Sequence, residues 1–266
     1  GCFIAEDAGQ IKGVIFWHIW GKTGWIGPLA VAPEKHLMGI GKALMKKGTD
    51  YLIHAGCSTI GLETNPRNSR NLGFYGHLGF LPSVLSIDMI KPVSVVTTED
   101  KVLPHKTVYY SRLSDKDKHE FKTRVWDLTQ LASPNLDYTP LIDTIDASRY
   151  GETVLFIRRG TAVGFAILQT EPTNNEEQNL LLRIFAMVAH PKTPDSYFRY
   201  FLMDLMKYAK RRAFERVVVR IPGYSGRAFQ IFLQEGYRVY NSDLRMTLEH
   251  YPEIQDSDVV HVNRWV

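Results

Sequence analysis

Residues 11–20 are apolar on both alternating faces, with Ile15, Trp17 and Ile19 on one side and Phe16 and Trp20 on the other. That pattern predicts a strand covered on both sides. A second apolar run, Gly27-Pro28-Leu29-Ala30-Val31-Ala32-Pro33, is stopped by proline. Residues 39–55 then place Ile40, Leu44, Tyr51, Leu52 and Ala55 along one stripe at helical spacing. A short strand ending near Glu63, a small helix and the pair Gly79-Phe80 follow.

The same order recurs later in the chain. Gly164-Phe165-Ala166-Ile167 answers Gly13-Val14-Ile15-Phe16, each after a charged turn. Ile184-Phe185-Ala186-Met187-Val188-Ala189-His190-Pro191 is again an apolar strand stopped by proline. Residues 195–212 carry a cleaner helical stripe of Phe198, Phe201, Leu202, Leu205 and Ala209, and Gly236-Tyr237 repeats Gly79-Phe80. From Glu63 to Met89 the halves align without a gap. Identities are few, so the order of elements carries the reading of an internal repeat. Each half reads strand, strand, strand, helix, strand, helix, strand.

The halves differ at their starts. His105 to Tyr150 leads into the second, with a strand at 107–110 and a helix capped by Ser114 running through Phe121 and Trp126 to Leu131. The first half has no counterpart and opens in a strand, Cys2 to Ala5. A first domain is expected over 1–92, without its strand-helix lead-in, then a linker at 93–104, a second domain over 105–250 and a tail over 251–266. An opening strand without that lead-in is expected to leave an unpaired edge.

The length of 266 residues suits two domains, and 44% apolar with 23% charged residues suits a packed core. No apolar run reaches the ~20 residues of a membrane span. Cys2 and Cys57 form neither a metal-ligand spacing nor a disulfide framework, which fits a reducing, cytoplasmic setting. The net charge of +4 is mildly basic. The densest cluster, Lys207, Lys210, Arg211, Arg212, Arg216 and Arg220, reads as a solvated helix face and the strand after it. Nucleic acid is therefore not the expected partner, and a basic surface serves a phosphorylated ligand as well.

The stretch from Val31 to Leu44 turns from a strand into a helix that begins near Gly39. Gly39 and Gly41 have no side chains to keep a ligand from the backbone. Free N–H groups of a first helical turn, with the positive end of the helix dipole, form an anion site. Lys42, Lys46 and Lys47 either add charge there or face water. No Gly-Lys-Ser/Thr follows, and position 44 is leucine, so neither a P-loop nor a dinucleotide fingerprint is present.

Gly27 to Pro33 followed by Gly39-Ile40-Gly41-Lys42-Ala43-Leu44 resembles the acetyl-CoA motif of the GNAT N-acetyltransferase superfamily, Arg/Gln-x-x-Gly-x-Gly/Ala. His36 stands where Arg or Gln is usual. Asn71-Leu72-Gly73-Phe74-Tyr75-Gly76-His77-Leu78-Gly79-Phe80 is similar to that family's Asn-x-x-Phe-Tyr-x-x-x-Gly-Phe ending, and Leu62-Glu63-Thr64 recurs in one branch of it. The resemblance is specific over residues 27–80 and weak over the second half. It implies an α/β fold of two tandem GNAT-like domains, each a mixed, mostly antiparallel sheet flanked by helices.

It also implies a cofactor site of Leu29, Ala30 and Val31 along the strand, His36, Leu37, Met38, Gly39, Ile40, Gly41 and Lys42 in the turn, and Asn68, Asn71 and Tyr75 beyond. The implied reaction is transfer of acetyl from acetyl-CoA to a primary amine by direct attack, without metal, on a small-molecule or peptide acceptor, in a monomer or homodimer. Tyr75 matches the family's general acid, and its other reading is a core aromatic beside Phe74. Glu63 is the best-placed carboxylate for a base; a structural ion pair or a water relay is the alternative. His18 reads as a core or edge residue. In the second half Phe232, Ala228 and Ser225 replace Tyr75, Asn71 and Asn68, and side chains replace both glycines. That half is expected to bind no cofactor and to shape the acceptor side. A rival reading is a non-catalytic acyl-CoA sensor or scaffold.

Overall fold

A computed structural model describes residues 1–33, 38–93, 104–170, 181–256 and 258–265. His36, Leu37 and most of the expected linker lie outside the described residues. The chain divides into two compact units, and the division does not follow the two halves of the sequence. The first unit holds Gly1–Ser86, Ser242–Ile254 and Trp265; the second holds Ile87–Asn241 and Gln255–Arg264. Strands β5 (Phe80–Pro92) and β11 (Arg238–Leu248) are each shared between units. Each unit thus takes in a strand from the other half of the sequence.

In the first unit β1 (Cys2–Asp7), β2 (Gln10–Trp20) and β3 (Thr23–Val31) form an antiparallel meander. Strand β4 (Thr59–Thr64) joins β3 in parallel, and the far part of β11 closes on β4 with Leu244 opposite Thr64 and Met246 opposite Leu62. Helix α1 (Ile40–His54) buries Leu44, Met45 and Leu52 on this sheet; α2 (Ser69–Gly76) follows β4. Ile15, Trp17 and Ile19 face that core, as their alternation predicts. The opposite face of β2 is covered only in part: Trp20 is buried against Trp265, whereas Phe16 is exposed. Strand β1 is the sheet's edge, with Ile4 exposed.

The second unit opens with β6 (Lys106–Tyr109) and α3 (Asp115–Ala132), whose Ser114 side chain caps the Asp117 N–H as the sequence predicts. Helix α4 (Thr139–Ser148) was not foreseen. Strands β7 (Gly151–Arg158), β8 (Thr161–Gln169) and β9 (Leu181–Ala189) run antiparallel, and β10 (Arg216–Pro222) joins β9 in parallel. Helices α5 (Asp195–Arg211) and α6 (Gly226–Gln234) cover it. All five residues of the predicted α5 stripe are buried. The basic cluster is not a uniform solvated face. Arg220 is buried and forked onto Asp88 at 2.8 and 2.7 Å.

The segment expected to be a tail is structured. Strand β12 (Val260–Asn263) pairs antiparallel with Ala186–Ala189 of β9. Tyr251 and Pro252 accept backbone and hydroxyl bonds from Ile60 and Thr59 in the first unit. No described helix is long and apolar enough to cross a membrane.

Candidate active site

Strands β3 and β4 pair only from Thr23↔Thr59 to Ile26↔Leu62. Beyond Ile26, β3 passes through Gly27, at φ 144°, and Pro28, and stays with β2 through Leu29↔Ile15 and Val31↔Gly13. Strand β4 stays with β11 instead. The two parallel strands therefore splay apart. Past the splay, Leu29 and Val31 line one wall of a groove whose volume is about 720 Å³.

The start of α1 forms the second wall. Gly39 sits at φ 83°, a left-handed conformation that favours glycine, and no side chain caps the helix. The first intrahelical bond to this end is Ala43 N–H to Gly39 O, which leaves the amides of Ile40, Gly41 and Lys42 without an intrahelical acceptor. No acid stands in the first turn to neutralise them. A Cβ on Gly41 would project between Val31, Phe74 and Leu29 at 3.6–3.9 Å, so a larger side chain there would fill the groove. This is a cradle for an anion with an extended arm. Lys42 lines it, but Lys46 is tied to Asp50 at 2.6 Å and Lys47 lies over the Phe3 ring.

Helix α2 supplies the third wall. Asn68 caps it by accepting the Asn71 N–H at 3.0 Å, and the Asn71 amide reaches Thr64 at 3.5 Å. Both line the groove, as do Arg70 and His77, which the sequence reading did not single out. Tyr75 lines it too, packed edge-on to Phe74 and Phe80 at 5.2 and 6.4 Å. Burial pushes the Tyr75 phenol up, so it stays protonated at neutral pH.

Ala30 pairs with Val14, and neither it nor the exposed Met38 lines the groove. Glu63 lies elsewhere as well. It is one residue past the last β3–β4 pair, on the sheet face of Trp25 and Gly61, whereas Ile60 and Leu62 face the α1 core. Its carboxylate accepts a bond from Ser86 and stands 3.3 Å from Arg245 Nε. Arg245 is fully buried between the Trp25 and Trp265 rings, donating to Ser86 at 2.6 Å and Glu253 at 2.8 Å. Burial pushes the Glu253 carboxyl up, against the pull of Arg245. Sequence reading missed Arg245, Glu253 and Trp265 because they lie far along the chain. The only local signal is an arginine among the apolar residues of β11. His18 is exposed, its ring stacked on Trp20.

The second unit repeats the splay without the groove. β9 pairs with β10 only over Leu181–Ile184↔Arg216–Val219, as β3 does with β4. The next stretch of β9, which corresponds to the groove wall, is taken by β12. Asp195 stands in the first turn of α5, bonded to Arg227 at 2.7 Å. Phe232, at the position of Tyr75, is buried against Phe198 and Tyr237.

The splay of a parallel strand pair recurs in both units, and only the first sets it against a bare helix start. The profile of the acetyltransferase (GNAT) family matches residues 1–80. Residues 1–80 thus match the GNAT family, and the chain has the fold of tandem GNAT proteins. Over its full length it superposes on a protein of Pyrococcus horikoshii provisionally assigned as an acetyltransferase, with TM-score 0.68, 15% identity and 79% of that chain covered. A tandem GNAT protein from the clavulanic acid biosynthesis pathway matches 95% of this chain and 83% of its own at TM-score 0.64 and 14% identity. A GCN5-related N-acetyltransferase from Sphaerobacter thermophilus matches 94% of this chain and 80% of its own at TM-score 0.62 and 14% identity. A search of curated proteins gives no significant match.

Proposed function

We propose that the first unit transfers an acetyl group from acetyl-CoA to an amine on a small molecule or peptide. The observation that carries this reading is the splay of β3 from β4 at Ile26↔Leu62, facing a helix start kept bare by Gly39 and Gly41. The residues present suit the cofactor: a pyrophosphate meets the amides of Ile40, Gly41 and Lys42, and an extended arm lies along Leu29 and Val31. Acetyl-CoA supplies the acetyl group as a thioester.

The chain's residues then handle two protons and one developing charge. Tyr75 donates its phenolic proton to the departing sulfur, a role that suits a phenol whose pKa is raised by burial. A backbone N–H near Leu29 stabilises the charge on the carbonyl oxygen. Glu63 does not line the groove, so as the base it takes the amine's proton only through water, with Arg245 and Ser86 fixing its carboxylate.

Calorimetry with acetyl-CoA, followed by an amine screen that measures free thiol, tests the reading. One site per chain and acceptor-dependent thiol release are expected. Binding without release across small amines and peptide N-termini would make the chain a sensor. Glu63→Gln is expected to lower kcat by roughly a hundredfold while leaving acetyl-CoA affinity unchanged. An unaltered kcat leaves Glu63 only its ion pair.

A further inference from the structure

The β7–β8 hairpin ends in the turn Arg159-Gly160, at φ 49° and 80°, between the paired residues Arg158 and Thr161. Its ladder shifts register between Phe156 and Ile157, an irregularity that re-aims the side chains beyond it. Beyond that shift, the Arg158 guanidinium lies over the Tyr197 ring, 4.1 Å from its centroid.

Two cavities of the second unit share this Arg158–Tyr197 wall. The smaller, about 200 Å³, is mostly apolar, with Ala162, Val163 and Pro194 among its walls. The larger, about 750 Å³, is cationic, lined by His105, Lys106, Arg124 and Arg159. The nearby carboxylates are already engaged. Asp195 holds Arg227 at 2.6 Å, Glu120 holds Arg124 at 2.5 Å, and Asp204 accepts from Thr107. Among the described residues no carboxylate pairs with Lys106, Arg158, Arg159 or Lys192.

The walls are built rather than loose. His190 N–H and Thr193 Oγ1 both donate to Val163 O, at 3.0 and 3.2 Å. Arg227 donates to Thr193 O at 2.8 Å. His190 Nδ1 accepts the Lys192 N–H at 3.1 Å, which leaves the proton on Nε2 as a donor. His105 is part of the same built wall: its side chain is fully buried between Phe156 and Phe201, with Nε2 3.6 Å from the Asp204 carboxylate, so Asp204 is engaged from this side as well.

We propose that these adjoining cavities bind a small phosphate ester carrying a flat apolar group. The phosphates lie against Lys106, Arg158 and Arg159, whose guanidinium forks match phosphate oxygens. The flat group enters the smaller cavity beside Tyr197 and Pro194. The site is separate from the groove of the first unit and does not depend on its assignment.

ADP and inorganic pyrophosphate are the probes, titrated by calorimetry into the full chain saturated with CoA, so that the first-unit groove is filled. One ADP site is expected, at least tenfold tighter than pyrophosphate. Arg158→Gln with Arg159→Gln should weaken ADP at least tenfold. Tyr197→Leu should remove the advantage of ADP and leave pyrophosphate binding. Lys106→Gln, at an exposed residue of β6 outside the hairpin, should weaken both probes. No binding of either probe overturns the proposal, and so does binding that the Arg and Lys variants leave unchanged. ADP no tighter than pyrophosphate overturns the apolar half. A single-stranded RNA that binds through these residues while ADP does not replaces it with a nucleic-acid surface.

Discussion

The edges of β3 and β9 show how one framework yields a groove in one unit and packed core in the other. Both strands leave their parallel partner after four paired residues. Past that point β3 faces a helix start bared by two glycines, while β9 is met by β12, with Val262 opposite Met187 and both fully buried. The helix starts differ in charge as well: α1 has no acid in its first turn, and α5 has Asp195. A carboxylate there repels an anionic ligand and satisfies the helix dipole itself. A few residues per unit therefore separate a candidate cofactor site from a scaffold.

The largest expected effect concerns what backs the groove. Arg245→Ala leaves Glu63 and Glu253 buried without their cation and should cost about 3–5 kcal/mol in urea unfolding. A loss under about 1 kcal/mol would mean that the cluster is solvated and contributes little. Next comes the contrast of helix starts. Gly41→Trp should weaken acetyl-CoA by about a hundredfold or more, about 2.7 kcal/mol. Ser196→Trp, at the same place in α5, should change nothing. Equal effects of the two, or two sites per chain, would break the comparison.

Tyr75→Phe should lower kcat by roughly a hundredfold with acetyl-CoA affinity kept, because one oxygen is removed and the ring remains. Full activity would return Tyr75 to the core. The smallest effect is a pH dependence in the second unit. Burial pushes the Asp88 carboxyl up, but Arg220, Asn241 and Arg264 outweigh it and hold it below the usual carboxylate range. Its folded pKa thus lies below the unfolded value of about 3.9. The stabilisation is full above that value and is lost as pH falls through the folded pKa. Asp88→Asn should therefore flatten the acid arm of the stability curve, measured by urea unfolding between neutral pH and pH ~3. An unchanged acid arm would place the acid sensitivity elsewhere.

Local pattern carried much of this. Tyr51 and Ala55 of the expected α1 stripe are exposed, but the stripe of α5, Leu44 and Leu52 of the α1 stripe, the Ser114 cap, the core face of β2 and the bare turn at Gly39–Gly41 each follow from residues within a few positions of one another. So does Tyr75, set on a helix that aims it at the groove. Helical and strand periodicity, turn residues and missing side chains are short-range properties, and the sequence states them directly.

Only the tertiary structure decided which strands complete which unit. β11 pairs with β4, Arg245 meets Glu63, and β12 fills the edge of β9. These partners lie far apart along the chain, and strand pairing has no local code beyond alternation. A four-residue stretch such as Val260-His261-Val262-Asn263 reads the same whether it is a tail or a buried strand. Whether Glu63 faces a ligand or an arginine depends on a side chain brought in from the other end of the sequence. The sequence by itself determined a groove-forming turn and a phenol beside it; long-range pairing determined that one copy stays open and the other is filled.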